Sequence, residues 1–427
     1  DSLQELALLA TTAGLDVVAQ VSQTLNHPSP KYFIGPGKVR EILSLCQEHD
    51  VDLVIFDDEL TPAQTRNLEK ELDLGVLDRT ALILDIFAQH AHTHEGRLQV
   101  ELAQYHYLLP RLRRQWTHLE RQTGQGGTSA GGVVGLRGPG ETQLEVDRRL
   151  INRRIAWLNE QLRDVHRHRE MYRQRRRTNG QPIIALVGYT NAGKSTLMNA
   201  LTNAGVYVED QLFATLDPTT RQIELPGGQH AMLTDTVGFI QKLPTQLIAA
   251  FRATLEEMGE ADVLLHLIDI THPNAAEHAR TVMATLAELN LAQKPVLHVF
   301  NKIDALPTAA SIDIDAYQAR LNLPDPCIAI SAQQQQGLTQ LLSEIAHLVT
   351  QTMVWLDASI PYARNDLLAL WHERGLIEEQ VFEADATRVT GRIPGALVSR
   401  FAGFIKATHI NGMVSQQNGE ELSQHED

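Results

Sequence analysis

The stretch Gly188-Tyr189-Thr190-Asn191-Ala192-Gly193-Lys194-Ser195 constrains this chain more than any other. It follows the apolar run Ile183–Val187 and opens a helical stretch at Ser195. A strand that turns through glycines into a helix presents a row of backbone N–H groups and the positive end of a helix dipole. A lysine and a hydroxyl at the end of the turn add a cation and a hard oxygen ligand, the G-x-x-x-x-G-K-[ST] arrangement that cradles a polyphosphate. Lys194 is then the group that reaches the β- and γ-phosphates, and the Ser195 hydroxyl ligates Mg²⁺, with Thr196 beside it. A bare glycine-rich turn is the plainer reading, but eight matching positions between a strand and a helix argue against it. Four further strand candidates, Ala231–Thr234, Val263–Ile268, Val296–Phe300 and Ile328–Ile330, alternate with helical stretches. That rhythm predicts an α/β domain over 181–352, a mostly parallel sheet with flanking helices.

Later motifs select the base. Asn301-Lys302-Ile303-Asp304 follows a strand candidate and resembles the NKxD motif of guanine-nucleotide-binding proteins. A carboxylate at Asp304 accepts from both the ring N1–H and the exocyclic amine of guanine. Adenine offers no such pair and would leave a buried acceptor unpaired. Ser331-Ala332 resembles the fifth motif of such proteins, where a backbone N–H meets the guanine oxygen. Asp235-Thr236-Val237-Gly238 resembles the DxxG of switch II, with Asp235 holding Mg²⁺ through a water and the Gly238 N–H touching the γ-phosphate. Between it and the P-loop lies Phe213-Ala214-Thr215-Leu216-Asp217, where Thr215 is the candidate switch I threonine that ligates Mg²⁺; Thr219 and Thr220 compete for the role. Lys194, Thr215 and Gly238 are the expected catalytic contacts. Ras-like switches place a water-orienting glutamine after the DxxG glycine. Here that residue is Phe239, whose ring cannot polarise water. Slow intrinsic turnover and activation by a partner are therefore expected. Asn191 matches the P-loops of GTPases that place K⁺ beside the phosphates; a simple loop-capping role is an equal reading.

Outside this region the chain divides by composition. Residues 1–93 read as a small N-terminal α/β domain, with a buried parallel strand at Val51–Phe56 and helices at Val39–Gln47 and Ala63–Leu72. In 94–180, Leu98, Leu102, Tyr105, Leu109, Leu112, Trp116 and Leu119 form one apolar heptad stripe. Leu144, Ile151, Ile155, Leu158, Leu162 and Val165 form another. Two seams joined by the glycine-rich tip 124–140 predict an antiparallel helical hairpin, kinked or split at Pro110, with Trp116 and Trp157 in its core. Residues 353–427 read as a small C-terminal domain with a polar, disordered tail. The formal net charge is −15, which excludes generic polyanion binding by the whole surface. The segment Arg148–Arg177 is the exception, with eleven arginines against three acidic residues. Such density suits RNA phosphates, although a solvated helix face is the commoner outcome. Two cysteines and no apolar run of membrane-spanning length fit a cytoplasmic, monomeric protein without membrane insertion.

With these motifs stand Tyr32–Lys38 (YFIGPGK), Asp78–Gln89 (DRTALILDIFAQ), Thr93–Gln104 (THEGRLQVELAQ), Gly135–Gln143 (GLRGPGETQ) and Gln211–Pro218 (QLFATLDP). Together they resemble the HflX family of GTPases over nearly the whole chain to about residue 350. The resemblance implies a GTPase that binds GTP and GDP. It also implies association with the large ribosomal subunit, in ribosome splitting, rescue or biogenesis; the arginine density itself points to rRNA contacts through Arg148–Arg177 and the tip 124–140. The resemblance favours Thr215 over its competitors. Two other functions remain open at this level: an ATP-dependent rRNA-remodelling factor using the N-terminal domain, and a GTP-controlled regulator of a membrane protease complex. Gly35-Pro36-Gly37-Lys38 reads as a plain helix start before a phosphate cradle, and His90, His92 and His94 as a solvated loop before a metal site.

Overall fold

The computed structural model describes residues 2–123, 139–202, 213, 219–242, 258–306, 313–410 and 413–416. These fall into two compact units. One holds the described residues up to His166, with Phe213 and Ile240–Lys242; the other holds the rest.

The first unit begins with helices α1 (Ser2–Thr12) and α2 (Pro36–His49), strand β1 (Leu53–Phe56), α3 (Pro62–Leu72), β2 (Gly75–Asp78) and α4 (Arg79–His90). Strands β1 and β2 pair in parallel with Phe56 opposite Asp78. Of β1 only Phe56 is buried, so the strand is half-covered rather than the buried strand expected. The expected helices over 39–47 and 63–72 extend outward because Pro36 and Pro62 sit at first-turn positions, where a missing N–H costs nothing. Thr61 and Gln64 close a capping box at the start of α3. Tyr32, Val39, Phe56, Leu60, Leu68 and Val76 are among the residues of the core between these elements. Asp78 is a buried junction. Its Oδ1 accepts from Ala81 N and the Tyr107 hydroxyl, and its Oδ2 from Leu60 N and Arg111.

Helices α5 (His94–Thr123) and α6 (Pro139–Asn179) carry the two predicted seams. Leu98 and Leu102 of α5 pack with Leu158 of α6, and Tyr105, Ile155 and Leu162 border them. Helix α5 is not split at Pro110 and runs through it as one element; a second expectation is corrected. Trp157 is 41% exposed rather than in the core, because Leu158, one position on, takes the inward place and is fully buried. The tip to residue 138, the side chain of Trp116 and the tail beyond 416 lie outside the described residues.

The second unit contains a six-stranded sheet. Its strands are β3 (Ile183–Gly188), β4 (Thr219–Glu224), β5 (His230–Asp235), β6 (Val263–Asp269), β7 (Val296–Asn301) and β8 (Cys327–Ala329), in the order β4-β5-β3-β6-β7-β8. All pairs are parallel except β4–β5. The runs of β3, β6 and β7 are apolar almost throughout because helices cover both faces. Those helices are α7 (Lys194–Thr202), α8 (Ala275–Glu288), α9 (Ile314–Leu321) and α10 (Leu338–Thr352). Helix α8 buries Ala275, Ala279, Val282 and Leu286, one stripe at helical spacing. Strand β4 was not foreseen: its two leading threonines and Arg221 give it the composition of a loop, and only pairing with β5 makes it a strand. A five-stranded antiparallel sheet follows, built from β9 (Val354–Pro361), β10 (Leu376–Phe382), β11 (Ala386–Ile393), β12 (Ile405–Ile410) and β13 (Met413–Gln416) in the order β10-β11-β9-β12-β13. Helix α11 (Asn365–Arg374) lays Trp371 edge-on against Phe401, 5.1 Å away, in that core.

Candidate nucleotide site

The P-loop leaves β3 at the centre of the parallel sheet, where helix α7 begins at Lys194. Asn191 takes a left-handed φ of 60°, a conformation asparagine tolerates. Gly193 has φ 94°, and a Cβ there would stand 2.3 Å from Asn301 Nδ2, so only glycine fits. The reason is a brace. Asn301 Nδ2 donates to Ala192 O at 2.8 Å, and its Oδ1 accepts from Ala332 N at 3.0 Å. One side chain therefore ties the phosphate loop, the NKxD turn and the Ser331 loop together.

Lys194 is 7% exposed, and its ammonium donates to Gly188 O (3.2 Å) and Tyr189 O (2.9 Å). Burial pushes its pKa down to about 8, partly opposed by the Asp235 carboxylate. A buried cation hydrogen-bonded to two neutral carbonyls is prepared for an anionic ligand. Ser195 Oγ donates to Asp235 Oδ2 at 2.8 Å, which brings the predicted magnesium pair together. Two hard oxygen donors beside a phosphate cradle fit Mg²⁺, which keeps several waters and takes phosphate oxygens. Thr215, the second proposed metal ligand, lies outside the described residues, as do Ala214, Leu216 and Asp217. Its competitors are placed: Thr219 and Thr220 sit in β4 opposite Asp235 and Thr234, and the Thr220 hydroxyl is engaged with Thr234 Oγ1 at 3.1 Å.

The DxxG turn lies against the P-loop. Thr236 Oγ1 donates to Leu186 O (2.6 Å), Phe239 N to Gly188 O (3.0 Å) and Thr190 N to Phe239 O (2.8 Å). A Cβ at Gly238 would come within 2.9 Å of Thr190 Cα and Cγ2 and 3.0 Å of Lys194 Nζ. Phe239 is 3% exposed, so its ring fills a buried place and offers nothing to water.

At the base end, Lys302 has φ 67° and pairs with Asp269 Oδ2 at 2.8 Å. Asp269 escaped sequence analysis; an acidic residue at the end of the neighbouring strand β6, in register with Asn301, was the available signal. Asp304 Oδ1 is buried with no hydrogen-bond partner among the described residues. A carboxylate oxygen held that way suits an incoming pair of donors. Ser331 N donates to Gln336 O and Ala332 N to Asn301 Oδ1, so both amides hold the loop beside the NKxD turn. Tyr189, another P-loop residue, stacks on His278 at 3.7 Å, and His278 in turn meets His272 at 4.4 Å. Among the described residues no group of three or more His, Cys, Asp or Glu side chains forms a metal cluster. Gly35 caps α2 with its N–H held by Gln23, and Lys38 pairs with Glu41.

Comparison with known proteins covers the chain in segments. Residues 1–88 match the family described as GTP-binding GTPase N-terminal, 90–176 the GTP-binding GTPase middle region, and 183–302 the 50S ribosome-binding GTPase. The chain is 43% identical over 407 residues to GTPase HflX of Caldanaerobacter subterraneus subsp. tengcongensis, covering 95% of this chain and 90% of that one. It is 44% identical to GTPase HflX of Escherichia coli K12, covering 91% and 88%. Among solved structures it is similar to a GTP-binding protein of Sulfolobus solfataricus in complex with GDP, with 27% identity and a TM-score of 0.42, covering 82% of this chain and 95% of that one.

Proposed function

The chain belongs to the HflX family of GTPases and is a GTP-hydrolysing enzyme; from that premise we propose that it works in the cytoplasm, as a monomer, on the large ribosomal subunit, and that hydrolysis times its release. The P-loop from Gly188 to Thr196 holds the phosphates, with Lys194 as their cation. Asp304 reads the guanine edge. Ser195 and Thr215, with Asp235 through a water, would hold Mg²⁺, which would supply charge neutralisation at the phosphates. Asn191 would hold K⁺ near the phosphates. Gly238 carries the γ-phosphate signal into switch II, and the loops order with GTP and relax after hydrolysis.

The ribosomal part of this reading rests chiefly on helix α6. Arg148, Arg149, Arg153 and Arg163 are exposed on it, in a chain whose net charge is −15. Arg154, also exposed, makes a bidentate pair with Glu101 and lies over the Trp157 ring at 4.2 Å. Exposed arginines on a rigid helix suit phosphate backbones, and the family described as 50S ribosome-binding GTPase matches the adjacent segment. In this reading residues 1–93, 94–180, 181–352 and 353–427 act as separate domains, with the tip 124–140 entering an RNA crevice. The outcome is splitting or rescue of stalled ribosomes, or assistance in their assembly.

The test is GTP turnover in potassium buffer with magnesium, with and without purified large subunits. A rise of tenfold or more, about 1.4 kcal/mol off the barrier, supports a partner-completed site. Unchanged turnover with intact GTP binding refutes the ribosomal activator. Conversion of whole ribosomes to subunits, followed by sedimentation, separates splitting from assembly.

A further inference from the structure

Phe239 leaves the terminal phosphate without the glutamine that other switches use, and its surroundings exclude a simple rearrangement. Both its backbone groups are bonded to the P-loop, at Gly188 O and Thr190 N, and its ring is buried. The neighbouring candidates are committed elsewhere. The Ser195 hydroxyl faces Asp235, and the Tyr189 ring is stacked on His278.

Thr190 is different. The residue is 7% exposed, and its Oγ1 is buried with no hydrogen-bond partner among the described residues. Its backbone N–H is held by Phe239 O. Its Cα and Cγ2 lie 2.9 Å from the place a Gly238 Cβ would take, and Lys194 Nζ lies 3.0 Å from that same place. Lys194 and Gly238 are the two groups that the motif chemistry aims at the terminal phosphate. A buried hydroxyl without a partner costs about 1–3 kcal/mol, and valine would fill the same space without that cost. Position 190 therefore retains a polar group on a residue that packs beside Gly238 and Lys194.

We propose that Thr190 is a further catalytic residue, whose hydroxyl hydrogen-bonds the terminal phosphate as its charge redistributes during hydrolysis. This inference rests on the GTPase reading of the site and not on the ribosomal partner. Thr190 exchanges no proton. The oxygen of water bonds to the terminal phosphorus, and the bond from that phosphorus to the bridging oxygen breaks with its electron pair passing to GDP. Both hydrogens of the water leave on the inorganic phosphate, as dihydrogen phosphate. The hydroxyl contributes a donor fixed before the reaction begins, as pre-organised donors do at other charged transition states.

The experiment measures kcat, KM and GDP affinity for the full chain and for T190V, T190S and T190A. T190V should lose tenfold or more in kcat while GDP affinity stays within about threefold, and T190S should recover most of that loss. T190V with kcat within twofold of the unaltered protein overturns the proposal, as does a change confined to KM. If T190V no longer binds GDP, the T190S to T190A ratio decides: tenfold or more in kcat supports the hydroxyl, and a ratio near one overturns it. Absence of turnover in the unaltered protein would instead count against the GTPase reading itself.

Discussion

At the scale of single residues, Lys194 links pH to affinity. Its pKa stands near 8 because it is buried, and a bound polyphosphate raises it. Above pH 8 the free protein loses this proton, whereas the complex needs it, so binding takes up a proton and weakens as pH rises. GDP affinity should fall about twofold from pH 7 to pH 8 and about tenfold by pH 9, read by titration calorimetry in buffers of different ionisation enthalpy. A flat profile would show that the lysine is already charged throughout. Asp304 makes a second prediction. Asp304→Asn replaces an acceptor by a donor at the buried Oδ1 side, so guanine nucleotides should bind at least a hundredfold more weakly. Xanthine, which carries a carbonyl where guanine carries the amine, should recover affinity in that variant. Equal loss for both bases would place Asp304 outside base recognition.

At the scale of elements, the sheet carries a buried histidine pair. His266 of β6 and His298 of β7 are in register, with their Nδ1 atoms 3.0 Å apart. Burial is the first cause that lowers both pKa values, His298 to about 4 and His266 well below the usual histidine range, with the charges of His298 and Lys194 adding for His266. A depressed histidine is neutral in the folded state and charged in the unfolded state between the two pKa values. Stability is therefore full above pH 6.5 and falls as the pH drops toward 4, by about 3 kcal/mol for His298 alone. Thermal unfolding of the apo protein at pH 7 and pH 5 should show this loss, and His298→Gln should reduce it. In the hairpin, Leu158 is fully buried between the helices, so Leu158→Ala should cost about 2–5 kcal/mol and lower the unfolding midpoint. Trp157→Ala should cost far less, because its ring is largely outside that seam.

At the scale of the whole molecule, an acidic chain with one arginine-rich helix should bind RNA through few but salt-sensitive contacts. Replacing Arg148 and Arg153 together by Ala should lower the dependence of log affinity on log salt by about 0.7–0.9 for each phosphate no longer neutralised. Arg154→Ala should act otherwise: it removes the pair with Glu101 and loosens the hairpin, with little change in slope. Equal slopes for the unaltered protein and the double variant would remove α6 from the interface.

Much of this was legible in the chain itself because the signals are local. Eight contiguous residues specify the P-loop, strand and helix periods mark the parallel sheet, and heptad spacing marks the hairpin seam. Even the missing glutamine was visible as Phe239. The rest depended on partners distant in sequence. Pairing with β5 turned Thr219–Glu224 into a strand and engaged the Thr220 hydroxyl with Thr234. Asn301 reached the Ala332 amide, a contact no local motif announces. Rotation of α6 brought Leu158 inward and left Trp157 outside, although the two are adjacent in sequence and both apolar in character. Thr190 acquired meaning only when Gly238 and Phe239, some fifty residues away, packed against its backbone and methyl group. Spacing determines which groups a short turn can present to a phosphate; packing decides which of them are already satisfied, and only the tertiary structure sets that.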